Sequence, residues 1–415
     1  MGMNETPPYT NTTDAISPAH PIYNASFGLL CLSSLLFSAS FNMLLPELPA
    51  YLSSLGGAEY KGLIIALFTL TAGLSRPFSG KLADTLGRVP VMAIGSIVCF
   101  VCGFLYPVLG SVAGLLFLRL IHGFSTGFKP TATAAYVADI VPANRWGEAL
   151  GLHGLAFSTG MGLGPALGSA ITHWFSIDFL FYCSSALALM SIIILMNMKE
   201  TVKNKQKFSF SLFKLTRHEI IDVRVLPAGI VTLLAYLPYG SILTVIADWG
   251  QHLGIVNKGL FYMVFTISSL LIRFIAGRVS DKFGRVSVLK VGLAIITVSI
   301  LIMGYTESLT GLMIGTVVYG IGGGVFSPAV SAWTIDLSDP AHRGKATATM
   351  YIALEAGIGL GALLAGMFFH DKIAMVPPIF YASALATLLG LVYLYFWKRT
   401  PFSGHGNNGH LIKAA

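Results

Sequence analysis

Apolar positions in this chain come in long runs, with the polar residues gathered between them. Twelve such runs lie near 26–49, 61–79, 90–109, 112–137, 148–171, 179–198, 226–248, 258–276, 287–305, 311–334, 347–368 and 378–397. A helix needs about 20 apolar residues to cross a hydrocarbon core. The pattern therefore predicts an all-α membrane protein with twelve transmembrane helices. The first run is not a cleavable signal: its flank is uncharged, it is too long, and no small-residue cleavage site follows it. An even number of spans puts both termini on one side.

The basic residues say which side. Taking the loop at 80–90 as cytoplasmic, 21 Lys and Arg fall on or at the edge of the inner side, and only Lys61, Lys258 and Lys372 fall outside. Positive charge accumulates on the cytoplasmic face, so both termini are cytoplasmic and the membrane is the plasma (inner) membrane. The same placement disposes of nucleic acid as the reason for a pI near 9.2. With 11% charged residues against 54% hydrophobic and a mean hydropathy of +0.74, a cytosolic enzyme and a disordered chain are both excluded. Cys31, Cys99, Cys102 and Cys183 sit in apolar runs and read as small core residues.

The longest polar connection, residues 199–225, divides six spans (25–198) from six (226–398). It is read as a cytoplasmic central loop, between tails at 1–24, read as disordered, and 399–415. Glycosylation triplets at Asn4 and Asn11 fall in a cytoplasmic tail and are discounted. His405 and His410 read as solvated, so no metal and no cofactor is expected.

The two sets of six repeat each other at an offset of 197. Arg76, Gly80, Asp84, Gly87, Arg88 and Val89 meet identical residues at Arg273, Gly277, Asp281, Gly284, Arg285 and Val286. The same shift carries Asp139 onto Asp336, Gly147 onto Gly344, and Gly123, Gly127, Gly160, Gly162 and Gly164 onto Gly320, Gly324, Gly357, Gly359 and Gly361. Two six-helix bundles related by a pseudo-twofold axis along the membrane normal are expected, an arrangement suited to rocking about a central site.

Gly80-x-x-x-Asp84-x-x-Gly87-Arg88, and its copy Gly277-x-x-x-Asp281-x-x-Gly284-Arg285, resemble the loop signature of the major facilitator superfamily. The resemblance covers roughly residues 25–398. Physically, Gly80 and Gly277 would allow close helix approach, and Gly87 and Gly284 a tight turn. Asp84 would face a helix N-terminus in the other half. Arg88 would pair with Asp139, and Arg285 with Asp336. The resemblance implies that this cluster latches the cytoplasmic side in the outward-facing state; solvated loop charges are the competing reading. Gly151-x8-Gly160-x3-Gly164-Pro165-x2-Gly168 resembles the motif of the superfamily's twelve-span drug–proton antiporters, with Ser169 where Gly is usual. Glycines at this spacing also suit plain helix packing. Arg119-x-x-His122-Gly123 resembles the motif in which an arginine assists proton transfer.

Within the spans, ionisable groups are few and expensive, and so are functional candidates. Glu47 is expected to pair with Arg119. Glu355 is expected to hold a proton or a substrate cation, and Lys129 to bind an anionic group, pair with Glu355 or snorkel to the surface. Asp248 sits at a span end. The expectation is a proton-coupled, alternating-access exporter of small amphipathic compounds, acting as a monomer by analogy with related folds, with protons and the bilayer as its other partners. The alternatives are an exporter or importer of one metabolite, sugar or metallophore, and a non-transporting sensor or scaffold. No enzyme chemistry is visible: there is no metal-spaced His/Cys cluster, phosphate loop or nucleophile triad.

Overall fold

A computed structural model describes residues 24–141, 145–203, 205–206, 209, 221–339 and 343–397. Among the described residues it is helical, with no strand. The helices are α1 (Ala25–Asn42), α2 (Leu48–Ser54), α3 (Lys61–Thr85), α4 (Arg88–Leu105), α5 (Val112–Ile140), α6 (Trp146–Trp174) and α7 (Ile177–Met196). After the central connection come α8 (Leu226–His252), α9 (Leu260–Phe283), α10 (Arg285–Tyr305), α11 (Leu309–Leu337), α12 (Arg343–Phe369) and α13 (Val376–Phe396). Nine helices among the described residues are long and apolar enough to cross a membrane, or ten if α9, bent by 46° near residue 274, counts as one span. Helices α5 and α6 fall outside that count. Arg119, Lys129 and Asp139 lie in the first, and the second is rich in Gly, Ser and His.

Ends and starts follow local chemistry. Ser111 Oγ accepts from Gly114 N at 3.0 Å and Ser308 Oγ from Gly311 N at 3.1 Å, capping α5 and α11 at positions 197 residues apart. The first apolar run does not form one helix. It ends at Asn42 and restarts at Leu48, because Pro46 and Pro49 interrupt the hydrogen-bond ladder and Pro49 suits a helix start. The turn so formed carries Glu47. Gly87 and Gly284 have φ of +122° and +86°, which makes the reversals from α3 to α4 and from α9 to α10 possible.

Helix α1 packs on α6 and α7, α4 on α5 and α7, and α3 on α5. The second set copies this arrangement: α8 packs on α12 and α13, α10 on α11 and α13, and α9 on α11. Between the sets, α3 packs on α12 and α6 on α9. These two contacts exchange under the 197-residue shift. The expected tails, with Asn4, Asn11, His405 and His410, lie outside the described residues but for Asn24, and so does most of the central connection.

Candidate functional site

Three acids and three bases inside the bundle meet at the seam between the two helix sets. At one end, Lys61, first residue of α3 and 3% exposed, bonds Asp248 of α8 at 2.9 Å and also Asp371. Lys258, just before α9, bonds Glu47 at 3.0 Å. Ser169 of α6 donates to the other Glu47 oxygen at 2.8 Å and accepts from Lys258 N at 3.0 Å. Asn257 Nδ2 donates to Ala166 O at 3.1 Å. Backbones touch beside each lysine. A Cβ on Gly62 would strike Ala362 O and lie 2.9 Å from Gly366 Cα; one on Gly259 would strike the Pro165 carbonyl. Lys61 and Lys258, Gly62 and Gly259, and Ala362 and Pro165 are all 197 residues apart. The lysine and the backbone contact are repeated at this end, whereas the acids are not: Glu47 corresponds to Thr244 and Asp248 to Tyr51.

Midway along the seam, Arg76 Nη2 of α3 bonds Glu355 Oε1 of α12 at 2.7 Å, with side-chain exposures of 11% and 9%. The guanidinium lies over the Tyr351 ring at 4.5 Å. Thus Glu47, Asp248 and Glu355, the three acids expected within spans, each pair with a base of the other helix set.

The pairing expected for Glu47 is different in the structure. Arg119 is fully buried inside the first set. Its Nε donates to Ile64 O at 2.8 Å and its plane covers Phe68 at 4.3 Å, while Nη1 and Nη2 have no hydrogen-bond partner among the described residues. Glu47 lies beyond the break in the first span, where α9 begins, so its carboxylate reaches Lys258 instead. His122 lies one turn below Arg119, its ring nitrogens each 3.2 Å from Tyr106 Oη and Cys99 Sγ.

Lys129 does not meet Glu355 either. It is 1% exposed inside the first set, donating to Ser33 O and Ser33 Oγ at 3.1 and 2.9 Å and to Ser191 Oγ, with the Phe37 ring at 4.7 Å. Ser33 and Ser191 also bond each other at 2.9 Å, so neither hydroxyl needs the ammonium. Burying an ammonium costs several kcal/mol of desolvation, a cost that an apolar group of like volume does not carry. Lys129→Met is therefore expected to hold or raise the melting temperature in detergent. A drop of many degrees would show that the ammonium is structurally required.

At the opposite end, Arg88 Nε bonds Asp139 at 3.1 Å and Nη1 bonds Asp84; Arg285 repeats both contacts with Asp336, at 3.1 Å, and Asp281. Asp84 faces its own Arg88, not a helix of the other set, because the two are one turn apart. Gly80 has only a Thr131 methyl at 4.0 Å and Gly277 nothing within 4 Å, so neither glycine supports the close approach expected of it. Glu200 was not singled out in sequence. Its carboxylate accepts from Arg88 N and Val89 N at 3.0 and 3.1 Å, capping α4. Its counterpart by the repeat is Trp397, so the symmetry that exposed the other residues hid this one.

In the span-five motif, Gly160 and Gly164 pack against α1 at Leu35 O and Ala39 O, where a Cβ would come within 2.5 and 2.8 Å, and Gly168 against Met43 O. Gly151 has nothing within 4 Å. The helix runs through Pro165, whose carbonyl meets Gly259 of the other set. The sequence reading missed Lys61, Lys258 and Arg76 as seam residues. All three obey the 197-residue repeat, which was the available signal.

A family model for the Major Facilitator Superfamily matches residues 30–226 and 228–413. A multi-drug resistance efflux pump of Streptococcus pneumoniae, PmrA, is 26% identical over 381 residues, 88% of this chain and 94% of that protein. An MFS-type transporter of Methanocaldococcus jannaschii is 24% identical over 366 residues, covering 84% and 92%. The crystal structure of the human organic anion transporter MFSD10 superposes with a TM-score of 0.69 at 20% identity, covering 89% and 98% of the two chains. At that identity the likeness establishes the fold alone.

Proposed function

The chain belongs to the Major Facilitator Superfamily, and from that footing we propose a proton-coupled exporter of small amphipathic organic compounds. It is a multi-span membrane transporter, not an enzyme. In the proposed arrangement it crosses the plasma membrane twelve times as two six-helix bundles, 25–198 and 226–398, and works as a monomer. Both termini are cytoplasmic by the distribution of Lys and Arg, so the Lys61 end faces outward.

One observation carries the coupling. Glu47, Asp248 and Glu355 each bond a base across the seam. A proton on Glu47 or Glu355 removes the charge that holds the two bundles together there, and at Lys61 protons on both Asp248 and Asp371 do the same. Proton binding and bundle separation are then the same event, which is what alternating access driven by protons requires. Arg119, with two free guanidinium nitrogens in the first bundle, is proposed to assist the transfer with His122. Arg88–Asp139 and Arg285–Asp336 are proposed to gate the cytoplasmic end. The span-five glycines and the efflux-pump relative support an amphipathic cargo.

The test uses proteoliposomes with a pH dye, a proton gradient and a panel of lipophilic cations, lipophilic anions and neutral drugs. Substrate-evoked proton movement is expected, and it should vanish in Arg119→Ala. Absence of proton movement with every compound, together with counterflow of a single metabolite, would overturn the reading in favour of a specific exporter.

A further inference from the structure

Two arginines hold equivalent places in the two helix sets, and an acid answers only one of them. Arg76 meets Glu355 at 2.7 Å. The 197-residue shift carries Arg76 onto Arg273 and relates Glu355 to Ser158. There, Arg273 Nη1 reaches only a hydroxyl, Ser158 Oγ, at 3.3 Å. Arg273 Nε has no hydrogen-bond partner among the described residues, and neither has Ser269 Oγ, one turn earlier on α9 and 3% exposed. The three side chains line a water-sized pocket at the α6–α9 contact. Met161, Phe265 and Leu270 supply its apolar wall.

A guanidinium at a seam, beside two serines and no carboxylate, lacks a charged partner that its twin possesses. Buried cations are ordinarily paired, and arginine's forked donors match a carboxylate. Ser158 and Ser269 each add a hydroxyl donor, and when α6 and α9 part, the apolar wall would take a ring or short chain. We propose that Arg273, Ser158 and Ser269 bind the carboxylate of an amphipathic organic anion, which occupies the place that Glu355 occupies in the other half. This rests on the transport reading and narrows its cargo to compounds with an anionic head. It also gives the broken symmetry a purpose: one seam arginine is held by the protein's own acid, and the other is left for the cargo's.

The repeat supplies its own test. Ser158→Glu copies Glu355 and places a carboxylate on Arg273. Full-length protein in detergent would be melted with benzoate and with benzamide, which has the same ring without the charge. Benzoate is expected to raise the melting temperature of the wild type saturably, and benzamide not to. Ser158→Glu should raise the melting temperature without ligand and abolish the benzoate shift. Arg273→Gln, which adds no acid, should weaken benzoate at least about thirtyfold and serves if the first variant does not fold. Equal shifts from benzoate and benzamide, or an unchanged benzoate shift in both variants, would overturn the proposal. The measurement involves no gradient, so failure of proton movement in liposomes would leave it standing, and its own failure would leave proton coupling untouched.

Discussion

Glu355→Gln is expected to yield a folded protein in which substrate no longer evokes proton movement. The amide keeps an acceptor for Arg76 Nη2 but cannot take up a proton, so the bond between α3 and α12 no longer answers to pH. Glu355→Ala should be harsher. It strands a guanidinium that is 11% exposed, and breaking a buried pair by removing one partner costs about 3–5 kcal/mol. The double change Arg76→Gln with Glu355→Gln separates the two effects. Stability should return toward that of the wild type, because no buried charge is left alone, while proton movement stays absent. Melting in detergent and dye-reported proton flux measure both. Normal flux in Glu355→Gln would pass the proton to Glu47, Asp248 or Asp371, the other carboxylates bonded across the seam.

Gly259→Val is expected to prevent the Lys61 end from closing. A Cβ there would collide with the carbonyl of Pro165, and backbone on both sides leaves no flexible side chain to yield. Valine adds two further methyls to the collision. Overpacking of this kind ordinarily costs about 1–3 kcal/mol. Here the strain can be relieved by parting α6 from α9, which also pulls Lys258 from Glu47. Transport should fall at least about tenfold, the equivalent of about 1.4 kcal/mol in the closing equilibrium. Spin labels at Tyr60 and Val256, exposed by 41% and 71%, should move to longer separations. Gly28→Ala, with nothing within 4 Å of the added carbon, controls for the loss of a glycine. Unchanged distances in Gly259→Val would mean that the two backbones are not held in contact at this end.

Hydropathy was enough to place the helices, because each run of apolar residues has only one way to satisfy its backbone in lipid. It misjudged the first run, where two prolines within four residues outweigh its apolar appearance. The repeat was the stronger instrument. It located the Arg88 and Arg285 clusters, whose partners lie on neighbouring helices of one set and follow from topology. It did not disclose the seam pairs. Glu47 and Lys258 are 211 residues apart, and nothing local to either sequence identifies the other as its partner. Lys61 and Lys258 looked like ordinary loop charges, since lysines at span ends commonly are. Lys129 misled in the opposite sense. A charge inside a span suggests a ligand, yet hydroxyls from α1 and α7 enclose it, and which hydroxyls meet is decided by packing that no pattern in one helix reveals.

The broken symmetry at Ser158 and Glu355 also bears on how such a chain can have arisen. If a half-length ancestor paired with its own copy about the same axis, the 197-residue correspondence says which charges would have met. Two copies of the present second half would set Asp248 against Lys258 and Glu355 against Arg273, twice over, with every charge answered. Two copies of the present first half would set Glu47 against Lys61 but leave both Arg76 side chains facing Ser158. Duplication and fusion release the two halves from serving as their own mates. In this chain the first half carries Ser158 where a self-paired ancestor would have needed an acid.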